Sequence, residues 1–150
     1  MKKLFAIVVA GCLLCSCAST QLYNWGGNYN SGNGVFSMYE QRAFTFYEKH
    51  SPESICELLC LYADMVNNPG GIRNVVPPGI YAEYGYLLLQ PETAEAFENH
   101  ATKKQKSVFN YTDYGASFYE LGIAMMQKEI ELYPESEKFI GPLINRMKRQ

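Results

Sequence analysis

Val76-Pro77-Pro78-Gly79-Ile80-Tyr81-Ala82-Glu83-Tyr84-Gly85-Tyr86-Leu87-Leu88-Leu89 is the stretch on which the fold turns. Two prolines and a glycine end whatever precedes them. Ile80, Tyr84, Leu87 and Leu88 then recur at helical spacing, with Ala82, Gly85 and Leu89 beside them. The segment reads as a buried helix entered through a rigid turn.

Upstream, Ser37 opens a helix with Glu40 three residues on as a capping box, and Phe36, Tyr39, Ala43, Phe46 and Tyr47 keep helical spacing to about Lys49. Ser51 caps the next, with Pro52 at its first position, where a missing N–H costs nothing. Its stripe is Ile55, Leu58, Leu59, Tyr62 and Val66, and Asn68-Pro69-Gly70-Gly71 stops it. A link of a residue or two makes these helices antiparallel. Downstream, Pro91 with Glu92 and Glu95 starts a fourth helix that turns Ala94, Phe97 and Ala101 inward. Lys103 to Tyr111 reads as a polar break. A fifth helix begins near Thr112 or Asp113, carries Phe118, Leu121, Met125 and Leu132, and ends at Pro134. The sixth carries Phe139, Ile140, Leu143, Ile144 and Met147, with Gly141-Pro142 kinking it or delaying its start. No strand is expected.

The fold class is therefore all-α, about six helices in stacked antiparallel hairpins. Gly85, Gly122 and Pro134 can fill the first-helix glycine, second-helix small residue and closing proline of a tetratricopeptide-like hairpin. The usual spacing between the first two is about 12 positions. Here it is 37, so an extra segment containing Lys103 to Thr112 must be inserted.

The N-terminus carries a different message. Lys2 and Lys3 precede an apolar run from Leu4 to Leu14 that is too short to span a bilayer, the pattern of an export signal. Leu14-Cys15-Ser16-Cys17 then looks like a bacterial lipobox, whose final thiol receives diacylglycerol before cleavage. Val9-Ala10-Gly11-Cys12 is a second candidate but leaves only an apolar stub, and an ordinary cut near Ala18 or Ser19 is the plain alternative. The favoured reading makes residues 1–16 a signal peptide, Cys17 the acylated (palmitate-type) anchor, residues 17–34 a tether and cap segment, and residues 35–150 the helical domain. Two or more acyl chains hold stably, at about 0.8 kcal/mol per buried CH₂. Ala18 and the absence of acid in Ala18-Ser19-Thr20-Gln21 point to the periplasmic face of the outer membrane.

Loss of Lys2 and Lys3 with the signal leaves 11 basic against 15 acidic residues, so nothing favours nucleic acid as a partner. Twelve Tyr and eight Phe accompany a single Trp. Tyr suits partly wetted packing surfaces, so a helical core with a tyrosine rim is the plain expectation and a ligand surface the alternative.

Candidate chemistry is sparse. Cys56 and Cys60 stand at i and i+4, with Cβ atoms roughly 5–6 Å apart where a disulfide needs about 3.5–4.5 Å. No zinc-type spacing links them to His50 or His100, and no base neighbours them, so both read as small apolar fillers. His50 suits the C-terminal dipole of the first helix. His100 reads as solvated and Glu92, Glu95 and Glu98 as a wetted face; Lys103, Lys104, Lys106, Arg146, Lys148 and Arg149 read as helix-end cations, with contact to anionic lipid or cell-wall polymer as the functional alternative. No catalytic, cofactor or metal residue is assigned. Tyr23 and Trp25 are the candidate partner-binding residues. They either fold over the first helix, which is the better expectation for so much ring surface, or form an exposed docking spot.

Three strings in order carry a family resemblance: Leu22-Tyr23-x-Trp25-Gly26, Val76 to Leu89 as quoted, and Glu129-x-x-Leu132-Tyr133-Pro134-Glu135-Ser136. Together they resemble the Gram-negative lipoproteins known as domain of unknown function 4810, over most of residues 22–147. The resemblance implies tetratricopeptide-like hairpins, with extra residues here between Leu89 and Gly122, and supplies no catalytic residues. It also implies a neighbouring lipoprotein resembling the curli secretion channel subunit, and with it a role in envelope assembly or secretion. The expectation is a non-enzymatic scaffold or adaptor. The competing class is an enzyme or binding module for envelope glycan or peptidoglycan, which requires titratable groups converging in a cleft.

Overall fold

The computed structural model describes residues 21–31 and 34–149. The residues read above as an export signal and lipobox, Cys17 among them, and residues 18–20 lie outside them. Seven α-helices follow a short antiparallel hairpin among the described residues: β1 (Asn28–Ser31), β2 (Gly34–Ser37), α1 (Met38–Lys49), α2 (Pro52–Asn67), α3 (Ile80–Leu88), α4 (Pro91–His100), α5 (Lys103–Phe109), α6 (Tyr114–Leu132) and α7 (Glu137–Met147), with a 3₁₀ turn at Pro134–Ser136 before the last. The domain is all-α in class.

Helix starts follow local chemistry. Ser37 accepts from the Glu40 N–H at 3.1 Å while Glu40 accepts from the Ser37 N–H at 2.8 Å, the reciprocal box read from sequence. Ser51 caps α2 with Pro52 in its first turn, and Asp113 caps α6. His50 closes α1 in the left-handed conformation, its N–H on the Phe46 carbonyl. Gly79 precedes α3 without a side-chain cap of its own. Glu129 supplies one from α6, accepting the Gly79 N–H at 2.7 Å.

α1 and α2 form the first antiparallel hairpin, tied by the Arg42–Glu57 ion pair. α3 and α6 form the second and share the most extensive helix contact. Their glycines explain how they come so close. A Cβ built on Gly85 would lie 2.6 Å from the Gly122 carbonyl oxygen, and one built on Gly122 would lie 2.7 Å from Leu89 Cγ. Side chains at either position would hold the backbones apart. Between the two helices, α4 and α5 are inserted and pack back onto α2, while α4 also touches α6.

The main core runs through α2, α3, α4 and the first half of α6, with Leu59, Met65 and Phe97 fully enclosed. A smaller core joins α6 to α7 through Ile123, Met126, Ile140 and Ile144.

Four expectations need correction. The tether is not strandless, because Asn28–Ser31 pairs with Gly34–Ser37 in register Asn28↔Ser37. Lys103 to Tyr111 is not a break. Thr102 and Gln105 form a capping box, and Lys103–Phe109 is helical, with Phe109 as its buried anchor. Pro142 lies inside α7, so of the two expected outcomes the delayed start does not occur. Finally, Tyr47, Leu132 and Phe139 face solvent, at 74%, 42% and 71% exposure, where each was expected inward. All three lie near helix ends.

Candidate functional site

α1, α2 and α3 enclose an open groove of about 270 Å³. α1 contributes Phe46, Tyr47 and His50, α2 contributes Leu58 and Tyr62, and α3 contributes Glu83, Tyr86 and Leu87. Gln90 and Glu92 close the end. Helical spacing sets this up, because Glu83, Tyr86, Leu87 and Gln90 fall on one face of α3 and its continuation.

Glu83 sits at the centre. Its Oε2 accepts the Tyr39 hydroxyl at 2.8 Å and the Tyr62 hydroxyl at 2.7 Å. Both phenols titrate well above the ordinary tyrosine range, because burial disfavours the phenolate and the nearby carboxylate disfavours it further. They therefore remain donors at any ordinary pH. Among the described residues Glu83 Oε1 has no protein donor and is not a buried orphan, so it is open to water or a guest. At the rim, His50 Nε2 stands 3.4 Å from Glu92 Oε1, with the two side chains 58% and 47% exposed. Such a pair is screened by water and contributes little.

The tyrosines form a continuous ladder. Trp25 packs on Tyr39 with centroids 5.3 Å apart, Tyr39 lies 6.2 Å from Tyr62, and Tyr62 lies 5.8 Å from Tyr84. Trp25 is half-buried against the main core, so the cap segment lies over α1. Its backbone joins in: the Tyr39 N–H donates to the Trp25 carbonyl at 3.2 Å and the Met38 N–H to that of Gly27 at 2.9 Å. Tyr23 lies at the other end of the segment. Its hydroxyl accepts from Arg73 at 2.7 Å, and the Arg73 N–H donates to the Leu22 carbonyl at 3.0 Å. Gly71, at φ +74, allows this approach, since a Cβ there would meet Leu22 backbone at 2.6 Å. Tyr23 and Trp25 are thus joined to the groove through Tyr39 and do not line it.

The two cysteines are accounted for by packing. Cys56 is buried with its Sγ 3.6 Å from the Ala96 carbonyl, Cys60 is half-buried, and neither is bridged. Burial pushes both thiols up to about 11, so they stay protonated near neutral pH. Glu129 is held above the usual carboxylate range by burial, opposed by the N–H groups of Gly79, Ala82 and Tyr81. His100 lies on the surface 3.4 Å from Glu53, and Glu92, Glu95 and Glu98 are exposed. Among the described residues, no three His, Cys, Asp or Glu side chains are grouped to hold a metal ion, and no helix is long and apolar enough to cross a membrane.

Sequence reasoning placed His50 and Glu92 at helix ends but did not bring them together, and it passed over Glu83 and Tyr86. The available signal was a carboxylate three residues before a tyrosine on a helix already assigned to the core. Comparisons with protein-family models, with curated proteins and with solved structures find no match to this chain, so the family resemblance rests on its three sequence strings.

Proposed function

We propose that this chain is a lipid-anchored adaptor of the outer membrane, tethered by Cys17 at the periplasmic face and acting without catalysis. Its helical hairpins present the α1–α2–α3 groove to another envelope protein. A lipoprotein of the curli-channel type is the partner that the family resemblance favours. The observation that carries the reading is the groove itself, where Tyr47 and Tyr86 expose ring surface beside a carboxylate fixed by two hydroxyls. Exposed aromatic surface around a polar anchor is the composition of an interface rather than of a solvated face.

The test is in-cell photo-crosslinking from p-benzoylphenylalanine at Tyr86, with Val108, exposed on α5 outside the groove, as control. A discrete adduct from position 86 and not from 108 is expected. Equal or absent adducts would remove the reading. For the anchor, Cys17→Ala should abolish labelling by an alkyne fatty acid and release the protein from membranes.

One observation favours a glycan-acting second reading: Glu83 and Glu92 share a groove with His50. The His50–Glu92 pair stands in water and Glu83 Oε2 is already committed, which makes a poor acid–base couple. Turnover of peptidoglycan fragments lost in Glu83→Gln would establish the second reading instead.

A further inference from the structure

We infer that the groove recognises a cationic side chain, the ammonium of lysine or the guanidinium of arginine, on a basic segment of the partner protein. This rests on the adaptor reading and gives it a chemistry. Among the described residues two carboxylates, Glu83 and Glu92, line the groove, no Lys or Arg does, and His50 is the one basic group there. Charge complementarity therefore calls for a cation.

The walls agree with the charge. Phe46 and Tyr47 stand with ring centroids 5.3 Å apart, and Tyr62 and Tyr86 contribute two more rings. Aromatic faces attract lysine and arginine through the ring quadrupole, and more strongly when the cation leaves water. Glu83 is suited to receive it. Two hydroxyls fix Oε2, so the carboxylate is already oriented and Oε1 is left to accept an N–H from the guest. Tyr39 is locked in turn beneath Trp25, so the cap segment stabilises the floor of the site. The shape agrees as well: an open groove of about 270 Å³ has room for one long side chain.

The experiment is fluorescence anisotropy on the full chain in detergent. The probe is a short fluorescein-labelled peptide of alanine, glutamine and serine carrying paired lysines, with arginine, norleucine and glutamate versions. Lysine and arginine peptides should bind, norleucine should bind at least about tenfold more weakly, and glutamate should not bind. Glu83→Gln should weaken the lysine peptide by about tenfold or more, while Glu120→Gln, exposed on α6 outside the groove, should not. Melting temperature checks each variant. Should Glu83→Gln fail to fold, Tyr86→Ala takes its place.

Equal binding of lysine and norleucine overturns the inference. So do equal effects of Glu83→Gln and Glu120→Gln, displacement by an N-acetylglucosamine oligomer, or no binding by any peptide. The two readings fail separately. An adduct at position 86 without lysine selectivity leaves the adaptor and removes the cation site. Lysine selectivity without any adduct in cells does the reverse.

Discussion

Two aromatic clusters of opposite character share the main core. In one, Phe97, Phe109 and Phe118 meet edge to face at 5.0–5.4 Å, each at most 7% exposed, with Tyr111 and Tyr114 around them. In the other, Trp25, Tyr39, Tyr62 and Tyr84 run in a tilted ladder, and two of the hydroxyls converge on Glu83. Both clusters bury large rings, so both stabilise the fold. Only the second turns two hydroxyls onto one carboxylate, Glu83, which the core does not need. The phenylalanines serve packing alone, whereas the tyrosines hold packing and a site together.

The comparison breaks most easily at its dry end. Phe97→Ala should cost about 3–5 kcal/mol, because a fully enclosed ring leaves a cavity that three neighbouring rings cannot close. Denaturant unfolding of the full chain in mild detergent would read this as a lower midpoint. Lysine-peptide affinity below the transition should be unchanged. Gly85→Ala comes next, at about 2 kcal/mol. The new methyl would lie 2.6 Å from the Gly122 carbonyl oxygen and 2.8 Å from Met126 Cγ, and a backbone atom cannot rotate away. The better helix propensity of alanine, about 1 kcal/mol, offsets only part of this. A variant as stable as the parent would mean that α3 and α6 are less closely apposed than described.

Much of this architecture was legible in the residues. Ser37 with Glu40, Ser51-Pro52, Pro77-Pro78-Gly79 and Asp113 mark helix starts by local hydrogen bonding and backbone restriction, which need no tertiary context. The Gly85–Gly122 pairing was legible as well, since the extra residues between them loop out and return as α4 and α5. What was missed depended on the third dimension. α5 has one apolar anchor, too few to show a period, although its capping box repeats the pattern read at Ser37. The groove was missed because its residues come from three helices. Glu83 in particular gains its place only when Tyr39 and Tyr62 are brought to it.

Trp25→Ala tests where the wet cluster begins. The ring is half-buried on Tyr39, so its removal should cost about 1–3 kcal/mol, less than a fully enclosed aromatic. Because Tyr39 orients Glu83, the same substitution should also weaken the lysine peptide severalfold, in contrast to Phe97→Ala. Lost affinity with unchanged stability, together with loss of the position-86 adduct, would instead make Trp25 a direct partner contact.

Tyr62→Phe has the smallest expected effect on stability and separates the clusters most cleanly. The substitution keeps the ring and removes one hydroxyl, turning a rung of the wet ladder into a residue of the dry kind. The lost bond is charge-assisted, which argues for a cost near the top of the usual range. Glu83 nevertheless keeps Tyr39 on the same oxygen and has Oε1 open to water, so neither partner is stranded. The net loss should be about 1 kcal/mol, seen as a small fall in the denaturation midpoint. Affinity for the lysine peptide should fall by more than that stability change alone implies, because a carboxylate held by one donor must be ordered again when the guest arrives. Equal affinity in Tyr62→Phe and the parent would show that the hydroxyl serves the fold only, and the division between a packing cluster and a site cluster would then end at Tyr39.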